Sequence, residues 1–73
     1  MHVMLNEMRA QHSPGSPPQV DTVDIWHIVH DGQLTALCGV ELRSDAVTGK
    51  IDDWGNVPQP CCTHCNAAYS EAI

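Results

Sequence analysis

The stretch VDIWHIVHDGQLTALCGVEL, residues 23–42, decides the fold. Val23, Ile25, His27 and Val29 fall on one face of an extended chain, and Asp24, Trp26, Ile28 and His30 on the other. After Asp31-Gly32 the alternation resumes, with Leu34, Ala36, Cys38, Val40 and Leu42 against Thr35, Leu37, Gly39, Glu41 and Arg43. Two alternating runs about an Asp-Gly step predict a β-hairpin, because glycine readily takes the positive φ of a type I′ turn. A two-residue loop pairs Ile25 with Cys38 and His27 with Ala36. His27 and Cys38 then share a face, diagonal to one another and within reach of one ion. A three-residue loop would give that place to His30.

Outward from the hairpin, Ser13-Pro14-Gly15-Ser16-Pro17-Pro18 reads as a stiff linker with few ladder donors. Residues 1–19 are therefore expected to be a disordered tail, and residues 20–73 the domain. A competing possibility is a short helix over residues 2–10 with Met4, Leu5 and Met8 on one face, ordering against a partner. Toward the C-terminus, Ser44–Lys50 reads as a loop and Lys50–Trp54 as a short third strand with Ile51 inward. Asn56–Pro60 is an extended lead-in, kept out of regular pairing by two prolines. A helix is expected to begin within or just after Cys62–Cys65, with Ala68/Ala72 and Tyr69/Ile73 in i,i+4 rows. The expected class is small α+β: a metal-stapled hairpin of two or three strands with a short C-terminal helix, zinc-ribbon- or treble-clef-like.

Such a chain needs a staple. Its 73 residues include two Trp, one Tyr and no Phe, too little apolar surface to offset chain entropy comfortably. No basic start leads into an apolar run within residues 1–19, so a reducing, cytoplasmic setting is expected and disulfides are not. Cys62-Thr63-His64-Cys65 has the C-x2-C spacing that lets two thiolates close on one tetrahedral ion. A thioredoxin-type redox pair needs a βαβ context for which the chain is too short. An iron–sulfur cluster would have to use the adjacent Cys61 and Cys62 together. One Zn²⁺ held by His27, Cys38, Cys62 and Cys65 fits best. His30 in place of His27 stays open, as does a site shifted onto Cys61 and His64. Otherwise Cys61 is a small apolar residue beside the site, and His64 an exposed residue or an outer donor. His2 and His12 are expected in solvent.

Trp26-His27-Ile28-Val29, Thr35-Ala36-Leu37-Cys38-Gly39 and Cys62-x2-Cys65-Asn66-Ala67-Ala68 together resemble a group of small zinc-finger-like proteins of actinobacteria and their phages. Members carry a His-aliphatic-Val stretch, a Thr-x-Leu-Cys-Gly stretch and a late C-x2-C before a short helix. The resemblance spans residues 22–70 and implies His27, Cys38, Cys62 and Cys65 as ligands. Cys61 and His64, flanking the C-x2-C, depart from the pattern.

Charge narrows the function. Three Lys+Arg stand against nine Asp+Glu, a formal −6, and three thiolates with one divalent ion add a net −1. Nucleic acid is an unfavourable partner for such a surface, and no apolar run approaches a membrane span. An enzyme would need an open coordination position, which four protein ligands close. The leading reading is a structural zinc module that binds another protein, a small acidic bacterial or phage regulator, through the Trp26, Ile28 and Leu37 face. The alternative is an inhibitor that competes with nucleic acid for a DNA-handling or transcription protein. A zinc-finger DNA binder is the third class and would require clustered basic residues.

Overall fold

The computed structural model describes residues 6–72. Its strands are β1 (Asn6–His12), β2 (Val23–His30) and β3 (Thr48–Lys50), and its helix is α1 (Thr63–Ala72). They form one antiparallel sheet in the order β2-β1-β3, with α1 following it in sequence.

β2 is the strand its alternation predicts, with Val23, Ile25, His27 and Val29 on one face. Its return partner is shorter than expected and shifted. Val29 pairs with Ala36 and Leu37 N–H donates to Ile28 O at 2.8 Å, whereas the two-residue loop would have paired His27 with Ala36. The Asp31-Gly32 turn is thus longer by two residues. A shift of two leaves every side chain on its predicted face, so Cys38 remains on the side of His27. Nor does the second run continue to Arg43 as a strand. It folds back on itself, Thr35 pairing with Glu41, with Ala36 N–H donating to Val40 O and Gly39 N–H to Ala36 O. Gly39, at φ 97°, makes the reversal possible without strain, and Cys38 sits at the tip of this knuckle.

The N-terminal stretch requires the main correction. Residues 6–12, expected within a disordered tail or a short helix, are the central strand of the sheet. Asn6 to Gln11 pair in register with His30 to Ile25, and a bulge follows before His12 pairs with Val23. Met8 and Ala10 are buried and pack with Val23 and Trp26. The polar residues of β1 are accommodated individually. Arg9, 8% exposed, donates from Nη1 to Arg43 O at 3.1 Å and lies 3.5 Å from the Glu7 carboxylate. His12 is buried rather than solvated: its Nδ1 lies 3.0 Å from Thr22 Oγ1 and its Nε2 accepts from Val47 N–H at 3.2 Å. Ser13–Pro18, read as a linker between a disordered tail and the domain, instead lies within the long connection between two paired strands. His2, Met4 and Leu5 lie outside the described residues.

Further on, the third strand ends at Lys50, and Ile51–Asp53 is a 3-10 turn rather than strand. Ile51 does point inward, packing against both apolar clusters. The Pro-rich lead-in, expected to be extended, bends over residues 57–59 before Pro60 O accepts from Trp26 N–H and Trp26 O accepts from Cys62 N–H, both at 2.8 Å. This parallel bridge lays Cys61 and Cys62 along the outer edge of β2, and α1 starts at Thr63, within Cys62–Cys65 as expected. One expectation about the surface fails. Trp26 and Ile28 are 4% and 0% exposed, covered by apolar residues of the later chain, so the proposed binding face is core.

Candidate metal centre

The site is assembled from three elements. β2 contributes His27, the knuckle contributes Cys38, and the start of α1 contributes Cys62 and Cys65. One ligand atom from each of these four lies within 4.8 Å of every other. His27 Nδ1 is 3.5 Å from Cys38 Sγ and 3.5 Å from Cys65 Sγ. All four cysteines are free thiols. The set is thus positioned to hold a metal ion, and it is the set expected from spacing and face parity.

Local structure explains the C-x2-C spacing. Asn66 N–H donates to Cys62 O at 3.0 Å, which makes Cys62 the residue capping the helix and Cys65 the third residue inside it. Cys65 N–H donates to Cys62 Sγ at 3.4 Å, so the sulfur occupies the place of the usual capping oxygen. Two residues related in this way turn their side chains to the same side.

The donors differ in their electrostatics. Burial pushes the Cys65 thiol up to about 12, against the opposing effect of backbone hydrogen bonds. At Cys62 burial also acts upward, but N–H donors at the helix start and the neighbouring thiols outweigh it and hold the thiol below its ordinary value. Burial lowers His27 as well, favouring the neutral imidazole that ligates a metal. The arrangement is a desolvated pocket of three sulfurs and one nitrogen, the donor chemistry of a closed tetrahedral site.

The rival ligands lie elsewhere. His30 faces away, its Nδ1 3.0 Å from Asn6 Oδ1. Cys61 is half-buried and packs against the cluster of Met8, Ala10, Val23 and Trp26. His64 is exposed on the first turn of α1. One residue near the site has no counterpart in the sequence reading: Gln11 of β1, whose Oε1 lies 2.7 Å from His27 Nε2. The signal that could have found it is the alternation of Glu7, Arg9 and Gln11 with Met8, Ala10 and His12. Comparisons with protein-family models, curated proteins and solved structures returned no match to this chain.

Proposed function

We propose that the ion is Zn²⁺, that its role is structural, and that the folded module serves as a protein-binding unit. The observation that carries this reading is the closed, largely buried His27/Cys38/Cys62/Cys65 set. Three sulfurs and one imidazole match zinc's preferred donors, and four protein ligands leave no position for a reactive water. A structural role for the ion, rather than catalysis, follows from that closure.

The charge distribution supports a protein partner over nucleic acid. Arg9 is buried, and Arg43 is engaged by Asp45 through two contacts of 2.9 and 2.8 Å. That leaves no basic stripe for phosphates. A formal charge of −6 favours basic partner surfaces instead, in keeping with an acidic cytoplasmic regulator of the actinobacterial or phage kind that the motifs resemble. The second reading, competition with nucleic acid for a DNA-handling protein, draws on the same acidity. Among the described residues no helix is long and apolar enough to cross a membrane.

Elemental analysis and X-ray absorption on the purified protein test the metal: one Zn²⁺ with three sulfur and one nitrogen ligands is expected, and iron would refute the zinc assignment. Affinity capture from bacterial lysate, with and without nuclease, tests the partner class. Protein capture that survives nuclease supports the protein-binding reading, and capture lost with nuclease points to a nucleic-acid-dependent role.

A further inference from the structure

We infer that Gln11 belongs to the metal centre: it holds His27 in the tautomer that turns Nδ1 toward the ion, and so governs how long the metal is retained. The inference rests on the metal reading above and adds to it a residue from β1.

The two nitrogens of His27 have different surroundings. Nδ1 is 3.5 Å from the sulfurs of both Cys38 and Cys65, whereas Nε2 is 2.7 Å from Gln11 Oε1. A neutral imidazole carries one N–H and one lone pair. If the lone pair at Nδ1 is to face the ion, the hydrogen must sit on Nε2, where it donates to the Gln11 carbonyl oxygen. His27 is 3% exposed, so an Nε2–H without that acceptor has little water to turn to. Ligating histidines commonly need such an outer acceptor to fix tautomer and ring orientation, and its loss weakens metal binding by roughly 10–100-fold.

The backbone supplies the placement. Arg9 lies directly across from His27 and Gln11 across from Ile25, which sets Gln11 diagonal to His27 on the same face of the sheet. The ladder bulges immediately after Gln11, between Gln11 and His12. Gln11 is itself exposed. An exposed side chain on a central strand is replaceable without opening the core, which makes its role separable from folding.

The full chain loaded with Zn²⁺ provides the test, read by long-range ¹H–¹⁵N correlation of the imidazoles and by the rate of zinc transfer to a chromogenic chelator. Wild type is expected to show His27 protonated at Nε2 and metal-bound at Nδ1, with an Nε2 proton in contact with the Gln11 side chain. Gln11→Ala should still bind one Zn²⁺ but release it about 10–100-fold faster. Gln11→Glu, which keeps an oxygen acceptor in place, should restore slow release. Gln11→Ala with wild-type release and an unchanged imidazole pattern would overturn the inference while leaving the metal reading intact. Should the alanine variant not fold, the wild-type spectrum decides: a His27 Nε2 coordinated to zinc, or an Nε2 proton without contact to Gln11, overturns it equally. Wild type that takes up no zinc overturns the metal reading and this inference together.

Discussion

The metal centre and strand β1 meet at Gln11 and His27, but they are built on different principles. The centre is held by four side chains whose types and spacings announce their chemistry. β1 is held by its place between two other strands, and by partners found one at a time for Arg9 and His12. The first is a property of short motifs; the second exists only once residues far apart in sequence are in register. On the zinc reading proposed above, a domain this small needs both, because its sheet alone buries too little apolar surface.

The largest effect should come from removing a ligand. Cys65 is fully buried, with its Sγ 3.5 Å from His27 Nδ1 and within 4.8 Å of the other two donors. Structural zinc contributes on the order of 10–16 kcal/mol in finger peptides near neutral pH, far beyond what a domain this size holds in reserve. Cys65→Ser should therefore lose the metal and collapse amide dispersion in an ¹⁵N spectrum, as should an excess of chelator on wild type. Cys61→Ser, one residue outside the set, should keep both metal and dispersion. A Cys65→Ser protein that remains folded without metal would make the centre secondary to the sheet.

Next in size is β1. Met8 is 1% exposed within the apolar cluster, and truncating a buried methionine to alanine costs about 2–5 kcal/mol. Met8→Ala should lower the urea midpoint of the zinc-loaded protein by a corresponding amount, and deleting residues 1–12 should prevent folding even at saturating zinc. A disordered tail would tolerate both changes. Full stability after the deletion would mean that the centre carries the fold without its central strand.

What could be read in advance follows the same division. β2, the start of α1 and the four residues positioned to hold an ion were legible, because alternation and C-x2-C spacing are local. The hairpin register was off by two, yet the grouping of His27 with Cys38 survived because face parity has a period of two. β1 was not legible for a physical reason. Between Met8 and Ala10 lies Arg9, whose burial is offset by carbonyls 34 and 35 residues away that accept its hydrogen bonds and by the Glu7 carboxylate. Ser13–Pro18 looks like a boundary when its flanks are unpaired, and like a hairpin connection once β1 meets β2. The Trp26 and Ile28 face could not be known as core before the residues that cover it were placed.

Acid should separate the two regions less abruptly. Burial holds His27 below its ordinary 6.5, so the neutral ring contributes stability above that value and loses it as pH falls through the lowered one. Burial raises Cys65 to about 12, so below its ordinary 9.0 the metal-free site keeps the thiol, and metal must displace a proton. The raised Cys65 thiol makes zinc affinity rise with pH across the neutral range, whereas the lowered His27 adds to that rise only in acid. Chelator competition at a series of pH values should show this, with proton release on loading measured by an indicator dye. An affinity independent of pH between about 6 and 8, below the ordinary thiol value, would contradict a thiolate donor set.

The smallest expected effect belongs to His30, and its contrast with His27 bears most directly on how strand and centre are joined. They are three residues apart in an extended chain, so they point to opposite faces. His27 meets sulfur on its face and Gln11 beyond it; His30 is hydrogen-bonded to Asn6, at the far end of β1. His27→Ala should release zinc, as a lost ligand must. His30→Ala removes one half-buried hydrogen bond, worth about 0.5–1.5 kcal/mol. It should leave zinc affinity unchanged and shift the thermal midpoint by only a few degrees. The two variants thus read the face parity of the strand directly. Zinc lost from His30→Ala but retained by His27→Ala would show that β2 presents its other face to the knuckle, and Gln11, paired across from Ile25 on the face of His27, would then lie on the side away from the metal.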